Sequence, residues 1–244
     1  EAAVKSELGK GIPMPLKHGK NLYKLKFDLP DAKLWDLETP YLYQLHAAVL
    51  VNGTCTDRLA QQFGMRSFTQ DTESPQRKGM FYLNGRSIRL RGANTMGFEQ
   101  QDVLRGDLPQ LIDDILLAKI CNMNFLRLTQ RPVQDEVYEY CDKLGLMTQT
   151  DLPLFGVMRR FRVPEGIRQA EEMARMVRKH PCNVVVSYIN EPFPNANNEP
   201  HRHLIRPELE NFFTCCDLVV KLSNPDQVIK HVDGDYDLSL IHIS

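Results

Sequence analysis

An Asn-Glu pair, Asn190-Glu191, follows directly on the apolar run Val184-Val185-Val186-Ser187-Tyr188-Ile189. A carboxyl leaving an apolar strand is partly desolvated, which favours its protonated form and suits Glu191 to general-acid work at neutral pH. The amide of Asn190 beside it can donate to a substrate hydroxyl. Other polar residues stand where short strand-like runs end: Asn94, Arg127 with Gln130, and Asp151. If those runs are parallel strands, these side chains collect at one mouth, where a parallel barrel gathers its chemistry. Most glutamates are solvated surface groups, and polar strand-end residues also satisfy loop backbone groups. Position therefore gives these residues their weight.

The elements that would hold them change character along the chain. Tyr23, Leu25 and Phe27 alternate with lysines, and Tyr43, Leu45, Ala47, Val49 and Val51 repeat the period of two, so both read as half-buried strands. Asn52-Gly53 supplies a tight hairpin turn, with 55–68 as the returning strand. The polar stretch 71–79, with its Pro and Gly, reads as a linker. Beyond a short hairpin at Asn84-Gly85, strands expected at 87–93, 124–129, 146–150, 183–190 and 227–232 alternate with apolar residues at helical spacing. These include Leu108, Leu111, Ile112, Ile115 and Leu116, and later Leu209, Phe212, Phe213, Cys216 and Val220, a helix entered through Pro207. The fold class is multidomain, β plus α/β: part of an immunoglobulin-like β-sandwich, then the first half of a (β/α)8 TIM barrel. An open doubly wound sheet is the alternative, and no glycine-rich phosphate loop follows any of the strands.

The 244 residues carry 30 Lys+Arg against 31 Asp+Glu, a formal net charge of -1, so no electrostatic footprint for nucleic acid is present. No apolar run reaches the roughly 18 residues of a transmembrane helix. The six cysteines contain no CxxC pair and read as buried free thiols, leaving cytoplasmic, periplasmic and secreted locations all open. Trp35 reads as core, and so do Tyr188, Phe193 and Phe155 near the expected mouth. His201-x-His203 lacks a third ligand for a metal, and Asp233, Asp235 and Asp237 imitate a calcium loop without its glycine and closing glutamate.

Several stretches in order resemble glycoside hydrolase family 2, the family of β-galactosidases, β-glucuronidases and β-mannosidases. His180-Pro181 followed by 183–191 is similar to the family's acid/base strand. Ala32 to Trp35, Thr39 to Tyr43 and Phe63-Gly64-Met65-Arg66 resemble the end of its immunoglobulin-like domain. Tyr82 to Gly85, Leu90 to Asn94, Arg127 to Pro132 and Tyr140 to Leu146 resemble the opening of its barrel. The resemblance implies a retaining β-glycosidase that needs no cofactor, with Glu191 as acid/base. It implies substrate contacts from Asn190, Arg127, Asn94, Asp151 and Gln130, and an oligosaccharide or glycoconjugate as the partner, with a homo-oligomer compatible. The family's nucleophile follows the seventh barrel strand, so no residue here takes that role.

The chain departs from the pattern at Met96, where the family often has His, and at Thr129-Gln130-Arg131, where it often has Ser-His-Tyr. Asp151 stands for the commoner Glu, and Val186 for a Trp. A non-catalytic carbohydrate-binding protein on the same scaffold is the second expectation. The expected organisation is sandwich over 1–70, linker over 71–79, barrel over 80–237 and a non-native tail over 238–244, where Leu238 to Ile243 resembles a translated sequencing adapter. On that reading the chain is the product of a gene fragment, inactive alone.

Overall fold

A computed structural model describes residues 14–15, 17–156, 158–192 and 204–234. The sequence features at Phe193, His201, His203, Asp235, Asp237 and 238–244 lie outside the described residues. Two compact units are present, one within 1–33 and 44–61, the other within 34–43 and 62–244.

In the first unit the expected hairpin forms. Strand β1 (Tyr43–Val51) pairs with β2 (Thr54–Phe63) through Asn52 and Gly53 at φ 51 and 81. Its apolar residues Leu45, Val49, Leu50 and Leu59 are exposed, contrary to the half-buried expectation. Tyr23, Leu25 and Phe27 form no strand, because none of the described strands runs beside them to complete a ladder. The return strand also ends earlier than expected, at Phe63. Within the second unit, Arg66 turns inward, its Nε and Nη2 donating to the carbonyls of Pro181 and Asn183 at 3.0 and 2.7 Å.

Strands β3 (Phe68–Gln70), β4 (Phe81–Leu83) and β5 (Arg86–Ile88) make an antiparallel sheet of three. Residues 71–79 form the connection between β3 and β4, closed by the Gly79 amide on the Asp71 carbonyl at 2.7 Å. The expected strand 87–93 is two strands: β5 ends at Ile88, and β6 (Gly92–Thr95) opens the parallel sheet. The break suits Gly92, where an added Cβ would lie 1.7 Å from the Phe125 carbonyl oxygen. Alternation alone does not reveal which sheet a strand joins.

The parallel sheet runs β10-β9-β8-β7-β6, neighbours in space following chain order. Its other strands are β7 (Phe125–Leu128), β8 (Met147–Asp151), β9 (Asn183–Asn190) and β10 (Val228–Asp233). Five sequential parallel strands with crossover helices are the first half of a (β/α)8 barrel. All of β9 is buried, as a β-branched central strand covered on both faces should be. Helix α1 (Phe98–Arg105) carries no apolar stripe, so helical spacing does not reveal it. Helices α2 (Leu108–Ile120), α3 (Asp135–Leu144), α4 (Val163–Val177) and α5 (Arg206–Ser223) coincide with the helical spacings. Pro164 and Pro207 occupy first turns, where a missing N–H costs nothing.

At the N-terminal ends of the strands Trp35 is fully buried, its Nε1 donating to the Asp142 carbonyl at 2.8 Å. The Asp142 carboxylate holds His180 Nδ1 at 2.7 Å and the Cys182 amide at 2.9 Å. All six cysteines are free; Cys141, Cys182 and Cys216 are buried, whereas Cys121 and Cys215 are exposed on the outside of the helical layer. No described helix is long and apolar enough to cross a membrane.

Candidate active site

At the opposite end, the C-terminal ends of the strands, ladder register sets the side chains. Asn94, Arg127 and Gln149 are successive partners across β6, β7 and β8, and Asn190 is opposite Asp233 across β9 and β10. Partners in a parallel ladder present side chains to the same face. The ladder register shifts between Thr148 and Gln149, a device that re-aims side chains beside a site.

Arg127 is the hub. Its Nε and Nη2 donate to Asp151 Oδ2 at 3.0 and 2.6 Å, and Nη2 also to Asn190 Oδ1 at 2.8 Å. Asp151 Oδ2 also accepts the backbone amide of Gln130 at 3.1 Å, with Gln130 at φ 70. Gln149 Nε2 bridges Asp151 Oδ1 at 2.9 Å and Asp233 Oδ2 at 2.7 Å, and Asp233 Oδ1 pairs with Lys230. Arg127 Nη2 lies 3.5 Å from Asp233 Oδ2. Two buried carboxylates thus face two cations, and the pairing offsets the desolvation each charge suffers. Burial pushes the Asp151 carboxyl above the ordinary aspartate range, with Asp233 adding to the rise, while Arg127 and Gln149 oppose it.

Because Arg127 can only donate, the Asn190 oxygen must face it, and the Asn190 NH2 is left to point elsewhere. Glu191 follows at φ 48, its amide donating to the Asp233 carbonyl at 2.8 Å. Such left-handed strain in a residue other than glycine persists only where its surroundings enforce it, and it clusters at functional sites.

Of the residues singled out from sequence, Arg127, Asp151 and Asn190 share one hydrogen-bonded network. Gln130 joins it by its backbone, and Glu191 adjoins it through Asp233. Asn94 lies in register with Arg127, exposed and with no side-chain bond to the network. Sequence reasoning missed Gln149, Asp233 and Lys230. Counting back two from Asp151 along a strand would have found Gln149. Asp233, taken as part of a calcium-loop imitation, is instead the last residue of β10 and bonded to Gln149. Among the described residues, no group of three or more His, Cys, Asp or Glu could hold a metal ion.

Two family models match in order along the chain: glycosyl hydrolases family 2 over residues 3–66, and the TIM barrel domain of glycosyl hydrolases family 2 over residues 76–208. A Formosa agariphila protein with a β-glucuronidase name is 35% identical over 54% of this chain and 16% of its own length. A β-galactosidase of Erwinia tasmaniensis is 28% identical over 74% of this chain and 18% of its own length. The chain therefore spans less than a fifth of these relatives. Among solved structures, a Bacteroides uniformis β-glucuronidase superposes with a TM-score of 0.65 at 24% identity, over 81% of this chain and 24% of that one. A Ruminococcus gnavus β-glucuronidase in complex with D-glucaro 1,5-lactone gives 0.61 at 19%, over 83% and 33%. These structural likenesses speak for the fold, and the barrel model, which alone matches more than half of the residues, speaks for ancestry: the chain belongs to glycosyl hydrolase family 2.

Proposed function

We propose that the protein carrying this chain is a retaining β-glycosidase, hydrolysing terminal β-linked galactosides, glucuronides or mannosides of oligosaccharides or glycoconjugates by double displacement. One observation carries the reading: Glu191 stands at the end of the buried strand β9 in a conformation fixed by the Asp233 carbonyl, next to an Asn190 whose amide Arg127 orients. In this mechanism Glu191 gives its proton to the leaving glycosidic oxygen while a second carboxylate, about 5–5.5 Å from it, bonds to the anomeric carbon. Glu191 then takes a proton from water, whose oxygen displaces that carboxylate and restores the starting configuration. The second carboxylate is assigned to a seventh barrel strand, outside β6 to β10. Asn190 donates to a sugar hydroxyl as the ring becomes oxocarbenium-like. The unbonded side chains of Asn94 and Gln130 are further contacts, whereas Arg127 and Asp151, engaged with each other, act by holding Asn190.

The test is Glu191→Gln in the full-length protein, assayed on 4-nitrophenyl β-galactoside, β-glucuronide and β-mannoside. Wild type should hydrolyse at least one with retention, and the variant should lose 10²–10⁴-fold in kcat on an unactivated disaccharide. Undiminished hydrolysis removes Glu191 from the acid role. Sugar binding by a wild type that hydrolyses nothing favours the carbohydrate-binding reading, for which the exposed Met96 in place of a polar contact is the motive.

A further inference from the structure

Phe155 looks from sequence like a packing residue, but the fold puts it elsewhere. Beyond the end of β8 the chain runs beside β9 for one more rung. Asn190 donates its amide to the Leu154 carbonyl at 2.9 Å, and the Gly156 amide donates to the Asn190 carbonyl at 2.8 Å. Phe155 and Asn190 are therefore parallel bridge partners, so their side chains leave the sheet on the same face. From that rung the Asn190 side chain reaches Arg127 of the strand-end network.

Phe155 is 49% exposed there, while Tyr188, two residues back on β9, is fully buried against Asp217 and Phe213 of α5. A single exposed apolar residue is ordinary on a protein surface, but this one is held rigidly on the face that carries Asn190, beside the strand end that leads into Glu191. A fixed aromatic ring loses little freedom when covered. It offers its face to an apolar surface, while the neighbouring amide and carboxyl serve polar groups at the rim. A pyranose presents that combination: one face of C–H groups, with hydroxyls around its edge. We propose that Phe155 is a stacking platform for a sugar ring of the substrate, a binding and specificity residue. The inference rests on the glycosidase reading above.

The experiment uses the full-length protein with Phe155→Ala and Phe155→Tyr, whose melting temperatures should match wild type because the ring is half exposed. Binding of D-glucaro-1,5-lactone and D-galactonolactone is measured by calorimetry, and kcat/KM on β-linked disaccharides. Removing the ring should weaken lactone binding or lower kcat/KM about tenfold, and tyrosine should keep the wild-type value. A loss on the lactones puts the platform under the reacting sugar; a loss confined to disaccharides puts it under the leaving one. An alanine variant within twofold of wild type on every probe overturns the platform. A wild type that neither binds nor hydrolyses any of them overturns the glycosidase reading itself, an outcome visible without the variants.

Discussion

The backbone amide of Glu191 donates to the carbonyl of Asp233 at 2.8 Å, tying the residue after β9 to the last residue of β10. The next residue serves the same glutamate in a different way. Gly234 sits at φ 71, and a Cβ there would lie 3.0 Å from Glu191 Cγ and 3.6 Å from Oε1. One residue anchors the Glu191 backbone, and the next leaves room for its side chain.

Gly234→Ala should therefore act on Glu191. A left-handed alanine costs about 1 kcal/mol, a modest loss of melting temperature. The added methyl also moves the carboxyl, and displacement by about 1 Å can cost on the order of 10²-fold in rate. In the full-length protein kcat should fall at least about tenfold, with KM changed far less. Steady-state kinetics on a disaccharide check this, and an unchanged kcat would show that Glu191 does not need the space.

Much of the barrel was legible because its signals are local. The run 184–189 is apolar but for Ser187, and Pro207 marks a helix start. The side chains at strand ends were legible for the same reason, since polar residues such as Asp151 and Asn190 stand where the expected strands end. Bonding partners were not. That Gln149 joins Asp151 to Asp233, 84 positions further along the chain, depends on the register of three strands, and no window of sequence contains it. The segment around Tyr23 failed for the converse reason, since alternation prepares a strand but a neighbour must complete it. Phe155 shows the remaining difficulty: an aromatic near a mouth packs or binds according to which side of one backbone rung it occupies.

The Arg127 network predicts a large stability effect from one change. Arg127→Ala leaves Asp151 and Asp233 both buried, without the guanidinium between them. Removing one partner of a buried pair costs about 3–5 kcal/mol. Urea unfolding should register a loss of that order. Adding Asp151→Asn should recover part of it, because it removes one of the two carboxylates left without their cation. A double variant as unstable as the sum of the two singles would mean that the groups are not coupled.

Glu99 in α1 is 1% exposed, and neither carboxyl oxygen makes a well-formed hydrogen bond. Burial pushes its carboxyl above the ordinary glutamate range; the charges of Asp114 and Asp102 push the same way, and its own amide and Thr95 only partly oppose them. The folded protein therefore holds a proton on Glu99 at pH values where the unfolded chain has released it. Between the ordinary glutamate value and the raised one, the folded state binds more protons, so stability falls as pH rises. Glu99 favours folding most below the ordinary glutamate range, and that contribution is lost as pH climbs through the folded value. Glu99→Gln, similar in size and always neutral, removes the dependence. Its melting temperature should be close to wild type at pH 4 and above it at pH 8, by the equivalent of about 1–3 kcal/mol for an unmatched buried charge. Thermal melts at half-unit steps across that range measure the difference directly. A gap that narrows or reverses with rising pH would mean that Glu99 is stabilised as the carboxylate, by a partner that the packing of α1 does not provide.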